Sequence, residues 1–293
     1  GINGTGVTVG VLSDSALPTR VAALIASGDL PADTLVLPGQ QGPANGTDEG
    51  TAMMEIVHDL APGAKLMFAT AFTSESSFAD NIIALAAAGA KVIVDDVSWS
   101  DEGVFQDSII AQAVNQVTAA GVIYFSSAAN SGSKTFNTST TWEGDFLDGG
   151  AVSGPVATIG ETGEVHNFGT VATPQNFNQM LTSSDGVTLR WSDPLGGSSN
   201  DYDLFVLNST GTQVIGLSAN TQNGSQDPDE EAFRSPVFPA NSRIVVVLFA
   251  GEPRALHVDS FGEAPLSIST TGATTGHNAG LNTVSMAETY WNS

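Results

Sequence analysis

Residues 47–63, Thr47-Asp48-Glu49-Gly50-Thr51-Ala52-Met53-Met54-Glu55-Ile56-Val57-His58-Asp59-Leu60-Ala61-Pro62-Gly63, decide how the rest of the chain is read. Thr47 or Asp48 can cap a helix start, and an acid there suits the positive end of the helix dipole. Ala52, Met53, Ile56, Val57 and Leu60 recur at helical spacing, and Pro62-Gly63 ends the run. Gly50 is the odd member. A glycine in a first turn costs helix stability, which implies that something packs too close for a side chain. Glu49 then stands at the mouth of the fold. The plain alternative is a capped surface helix whose first glutamate is solvated.

Working outward, residues 6–12 (GVTVGVL) form a short β-branched apolar run that reads as a buried strand, ending in Ser13-Asp14-Ser15. Helical and strand patterns then alternate: helix 18–27, strand 34–37, the Glu49 helix, strand 65–70 and helix 76–88. Strand 91–94, helix 105–119 and strand 122–126 follow. Such alternation implies a parallel sheet covered by helices on both faces. Ligands of these sheets bind beyond the carboxyl ends of the strands. Ser13-Asp14, Asp95-Asp96 and residues 126–130 all fall at such ends.

Taken together these segments resemble the subtilisin-like serine peptidases, the subtilases. Glu49-Gly50-Thr51, a helix and Ala61-Pro62-Gly63-Ala64 resemble the family's histidine segment, with glutamate in place of the catalytic histidine. The related sedolisins carry a glutamate on this helix with an aspartate one turn later, where this chain has Met53. Residues 9–15 resemble the strand that ends in the catalytic aspartate. The Asp14-Ser15 pair favours Asp14 for that role, whereas counting along the strand favours Ser13. Residues 94–100 resemble the strand whose backbone pairs with an extended peptide, which makes Asp96, Ser98 and Trp99 candidate substrate-binding residues. Residues 127–132 resemble the segment whose asparagine, here Asn130, completes the oxyanion hole. Residues 279–286 resemble the strand that precedes the last active-site elements. The resemblance implies an α/β fold with a subtilisin-like parallel sheet and helices on both faces. It also implies peptide-bond hydrolysis through an acyl-enzyme.

A substitute for the missing histidine has to be found among the other residues. His58 lies nine residues beyond Glu49 on the same helix and, at ~100° per residue, points to the opposite side. His166, His257 and His277 lie in loop- or sandwich-like sequence and read as structural. A serine nucleophile would then need a carboxylate base. Free glutamate, at a pKa of ~4.3, is a poor base near neutrality. A neighbouring carboxylate raises one member of such a pair, and Glu49 with Asp14 is the candidate pair. Asp95-Asp96 is a second acidic candidate: alternation sends one of the two inward, where it could share a proton or bind a cation.

The chain carries 31 acidic residues against eight Lys and Arg, a formal charge of −23, and no cysteine. That balance argues against nucleic acid and anionic membranes as partners, since nothing here neutralises phosphates. It fits a secreted protein whose signal or pro-segment is not in this sequence. Neither disulfides nor thiolate metal sites contribute.

From about residue 160 the helical period is lost. Residues 160–272 read as an inserted all-β sandwich, jelly-roll-like, within an α/β domain of residues 1–159 and 273–293. Asp193, Asp201, Asp203 and the acidic loop 227–231 are candidates for Ca²⁺, an ion that takes oxygen ligands. No cofactor is otherwise expected. The serine-bearing Gly-Thr-Ser segment that the resemblance implies has no clear counterpart. The sequence closes on Trp291-Asn292-Ser293, and Ser285 reads as a strand residue. The nucleophile is therefore expected beyond residue 293, on a C-terminal segment or fragment that completes the fold. The rival reading is an inactive protein of the same fold that uses its cleft and sandwich for peptide or glycan binding.

Overall fold

Val9 and Val11 alternate with Gly10 and Leu12 along the first strand, and the two sets serve two different cores. The computed structural model describes residues 2–261 and 264–289. The end segment 291–293 discussed above lies outside the described residues. The chain divides into two units. One comprises Gly1–Glu102, Asp107–Ala129 and Thr275–Ser293, the other Gly103–Gln106 and Asn130–Thr274.

In the first unit the chain runs through β1 (Thr8–Ser13), α1 (Pro18–Ser27), β2 (Leu35–Val36), α2 (Glu49–Leu60) and β3 (Lys65–Thr70). It continues as α3 (Glu75–Ala87), β4 (Val92–Asp95), α4 (Ile109–Ala119) and β5 (Ile123–Ser127). After the second unit it returns as a 3₁₀ turn, Gly276–Ala279, and β16 (Thr283–Met286). All strands pair in parallel, in the order β16-β5-β4-β1-β3-β2. Val9, Val11, Leu66 and Phe68 pack with Val21 and Leu24 of α1 and Met54 of α2. Leu12, Met67 and Ile93 pack on the other face with Phe78 and Ile82 of α3 and Ile110 and Val114 of α4. Each such fully buried side chain is worth about 1.5–3 kcal/mol, so two covered faces account for the near-continuous apolar runs of these strands. Among the described residues no helix is long and apolar enough to cross a membrane.

The α2 stripe differs from the one its spacing predicts. Met54 is fully buried, whereas Ile56 and Leu60 are 61% and 81% exposed. Nor does the Asp48 side chain cap the helix. Asp48 is left-handed at φ 65°, and its carboxyl accepts from the Leu17 amide instead, at 2.8 Å.

The second unit is a sandwich of antiparallel sheets. Its elements are β6 (Thr141–Asp145), β7 (Asp148–Ala151), α5 (Gly154–Thr158), β8 (Glu164–His166), β9 (Asn178–Gln179) and β10 (Ser184–Trp191). Then come β11 (Asp201–Leu207), β12 (Val214–Ser218), β13 (Asp229–Phe238), β14 (Arg243–Ala250) and β15 (Ala255–Phe261). The sheets run β13-β10-β15-β6 and β12-β11-β14-β8-β7, with β9 on β14. Trp191, Tyr202, Phe238 and Leu256 centre the core between them. β16 pairs with β5 after the sandwich strands have intervened, so the sandwich is inserted within the chain of the parallel-sheet unit. The insertion starts at Asn130 rather than near residue 160. Trp142 of β6 pairs with Val258 of β15, and Asp148 of β7 with His166 of β8. These two short strands are rich in glycine and acid, and so carry little of the alternation that marks a strand.

Candidate functional site

The site grows from the carboxyl end of β1. Ser13, its last residue, is fully buried and pairs in register with Thr70 of β3. Asp14 and Ser15 leave the strand and fasten the loop that leads into α2. The Asp14 carboxylate accepts from the Thr47 amide, from the Thr47 hydroxyl at 2.8 Å, from Ser15 Oγ at 3.1 Å and from the Glu49 amide at 3.2 Å. Ser15 Oγ accepts from the Asp48 amide at 2.9 Å, and its carbonyl from the Gly50 amide at 3.0 Å. A Cβ on Gly50 would stand 2.2 Å from Phe68 Cε2 and 2.7 Å from the Ser15 carbonyl. This explains the first-turn glycine: α2 enters against β1 and β3 with no room for a methyl group.

The consequence is a half-buried Glu49 at the start of α2 whose Oε2 accepts from Ser13 Oγ at 2.5 Å. The expected carboxyl pair of Glu49 and Asp14 is not what the fold brings together. Successive strand residues point to opposite sides, so Ser13 reaches the Glu49 side chain while Asp14 reaches only its backbone. Burial pushes the Asp14 carboxyl up, but the hydrogen bonds from Thr47 and Ser15 outweigh it and hold the group below its ordinary value. Asp14 is thus an ionised brace for the loop. Met53, one turn along α2, packs against the adjacent core.

At the end of β4, Asp95 is buried and Asp96 exposed. Asp95 Oδ1 accepts from Ser126 Oγ at 2.7 Å and the Val97 amide at 3.3 Å. Beyond it Val97 is buried, Ser98 exposed and Trp99 half-buried against the α3–α4 core, and the Val97 carbonyl accepts from Asn278 Nδ2 at 2.9 Å. Asn130 is exposed and belongs to the sandwich unit. Ser285 lies in β16, with its hydroxyl donating to the Asn278 carbonyl.

His277 was not singled out by sequence reasoning for any part in the site. Its ring is fully buried, with Nδ1 2.7 Å from Glu102 Oε2 and Nε2 3.4 Å from Asp95 Oδ1. These partners lie 175 and 182 residues away along the chain, so no local pattern could have exposed them.

In the sandwich, Asp193 is committed to Arg254 Nε at 2.6 Å and to Asn200 and Ser198. Burial, opposed by these bonds and outweighed by them, leaves its pKa at about 2. Among the described residues no group of three or more His, Asp or Glu side chains is placed to hold a metal ion.

No family model matches the chain, and no curated protein matches it. It is similar to the solved structure of the CspB protease of Clostridium perfringens, with 12% identity and a TM-score of 0.48 over 92% of this chain and 65% of that one. It is also similar to a lanthipeptide protease, with 16% identity and a TM-score of 0.36 over 45% and 42% of the two chains. A third is the self-cleaved protease domain of PatA, with 20% identity and a TM-score of 0.32 over 44% and 52%. The chain spans 65% or less of the length of each. At these identities and scores the likenesses assign no activity. The architecture rests on the topology described above.

Proposed function

We propose that the protein is a secreted serine-type peptidase with a subtilisin-like parallel sheet, in which Glu49 serves as the base. The observation that carries this reading is the seating of Glu49. It stands at the carboxyl end of β1 on the first turn of a helix, backed on one oxygen by the buried Ser13 hydroxyl and otherwise half open. That is how a general base must be held, with its orientation fixed from behind and its free side toward the reacting groups. The exposed side chains of Asp96 and Ser98, just beyond the end of β4, support a polypeptide as substrate.

In this reaction Glu49 takes the proton of a serine hydroxyl as its oxygen attacks the peptide carbonyl. The proton then passes to the departing amine as the C–N bond breaks, and water releases the acyl group. Ser13 is fully buried and is not that nucleophile. Which serine reacts is the point that active-site labelling has to decide. The buried state of Ser13 also favours a second reading, in which the same segment binds peptides without cutting them.

Labelling with a fluorophosphonate, followed by intact mass spectrometry, tests the proposal on the longest natural form of the protein. The expected result is one labelled serine, with casein hydrolysis by the same form. Glu49→Gln should lower turnover by about 10²- to 10⁴-fold with the fold unchanged. Unchanged turnover in that variant would sink the role of Glu49. An unlabelled, inactive natural form would leave the peptide-binding reading.

A further inference from the structure

His277 is enclosed by groups that demand both of its ring protons. Nδ1 faces Glu102 and Nε2 faces Asp95, and each carboxyl oxygen is an acceptor. A neutral imidazole would turn a lone pair toward one of them in a fully buried site. The backbone is held as well, since the His277 amide donates to Glu102 Oε1 at 2.7 Å. The edge of the Phe78 ring from α3 closes the site, its centroid 5.1 Å from that of the imidazole. The ionisable groups facing the ring are Asp95 and Glu102, with Tyr124 of β5 adjoining Asp95. α4 and β16 carry no ionisable side chain.

The next residue turns this clasp into a tie between two strand ends. Asn278 is buried, and its Nδ2 donates to the Val97 carbonyl at 2.9 Å, to Ser126 Oγ at 2.8 Å and to the Ser127 carbonyl at 3.1 Å. Val97 lies between the exposed Asp96 and Ser98, and Ser127 ends β5. The turn is also joined to β16, because the His277 carbonyl accepts from Thr283 Oγ1 at 2.7 Å.

We propose that His277 is a positioning residue: clasped as a buried cation by Asp95 and Glu102, it fixes Asn278, which sets the spacing of the peptide-binding segment 97–99 against the end of β5. Only the identification of that segment as peptide-binding rests on the peptidase reading. A buried ion triad is a costly way to obtain stability, and apolar residues of similar size often serve as well. What it supplies is one defined geometry. Burial pushes the imidazole down, but the two carboxyls outweigh it and raise the pKa to about 10, so the clasp stays closed through neutrality.

The test uses the full chain carrying 5-fluorotryptophan, with the Trp99 fluorine line as reporter, alongside ¹⁵N spectra of the His277 ring. The ring should be doubly protonated at pH 7. The Trp99 line should hold constant from pH 6 to 8 and move as the ring loses its proton on the alkaline side. Glu102→Gln should bring that movement to lower pH, and His277→Gln should displace the line at every pH. In His277→Gln, amides of residues 97–99 and 127–128 should exchange about tenfold faster or more, while those of β1 and β3 keep their protection. A neutral ring at pH 7, an unmoved Trp99 line, or exchange that rises equally in β1 and β3 would overturn the proposal. None of these readings uses turnover. A failed labelling experiment with an intact clasp response therefore sinks the peptidase reading alone.

Discussion

His277 and His166 are both fully buried, yet one ring lies between two carboxyls and the other among aromatic side chains. His166 contacts Trp142, Phe146 and Phe168 with ring centroids 4.5–5.4 Å away, and its Nδ1 accepts from the Leu147 amide at 3.1 Å. Burial alone acts on it and lowers its pKa to about 3. The same side chain at the same depth is thus held charged in the parallel-sheet unit and neutral in the sandwich. What differs is the company each ring keeps. The stabilities therefore respond to pH in opposite directions. The His277 contribution is complete below about pH 6.5 and is lost as pH rises toward 10. The His166 contribution is present above about pH 6.5 and is lost as pH falls toward 3.

The acids of the sandwich extend the contrast. Asp203 is buried beside Glu161, Asp201 and Glu230, and burial followed by these like charges raises its pKa to about 8. A carboxyl raised in the folded state favours folding at low pH and opposes it as pH climbs from about 4 to 8. The largest expected effect follows. Asp203→Asn should leave the sandwich unchanged at pH 4 and stabilise it at pH 8, by on the order of 5 kcal/mol. Urea unfolding followed through the sandwich tryptophans, Trp142 and Trp191, measures this at both values. An equal shift at pH 4 and pH 8 would show that the side chain matters for its shape and not for its proton.

A second change should act on the other unit alone. A methyl group at Gly50 meets Phe68 and the Ser15 carbonyl, and neither is the free end of a flexible chain. Gly50→Ala should therefore destabilise the parallel-sheet unit by about 2–3 kcal/mol. The transition seen by Trp142 and Trp191 should stay where it is. A fall in both transitions together would mean that the units unfold as one, and the pH contrast would then apply only to their sum.

Much of this was legible in the sequence, for physical reasons that also explain what was not. The strands of the parallel sheet are apolar on both faces, so 6–12, 65–70 and 91–94 stand out without any alignment. Gly50 announced a close approach, and Phe68 with Ser15 supplies it. Which of Ser13 and Asp14 meets Glu49 depended on one residue of strand register, and the side chains alternate at that period. The α2 stripe misled because Ile56 and Leu60 satisfy helical spacing while lying on the exposed side. The start of the sandwich was hidden by β6, whose partner β15 comes from much later in the chain, and by β7, a short strand of glycine and acid. The His277 clasp joins residues 175 and 182 positions apart, and only the folded sheet brings them together.

The smallest expected effect comes from a carboxyl of the sandwich with the opposite sign. Asp193 is as deeply buried as Asp203, but it accepts from Arg254, Asn200 and Ser198, and its pKa falls to about 2. A carboxyl lowered in this way contributes stability above about pH 4 that is lost as pH falls toward 2. The shift corresponds to about 2 kcal/mol. Asp193→Asn should accordingly destabilise the sandwich by about that amount at pH 6, and the variant and the natural protein should converge as pH approaches 2. Combined with Asp203→Asn, it gives two buried carboxyls in one unit whose removal helps at pH 8 in one case and harms in the other. Unfolding curves of the two variants across pH 3 to 8 should diverge steadily. If they run parallel, depth of burial sets the behaviour of these groups, and the partners around each carboxyl do not.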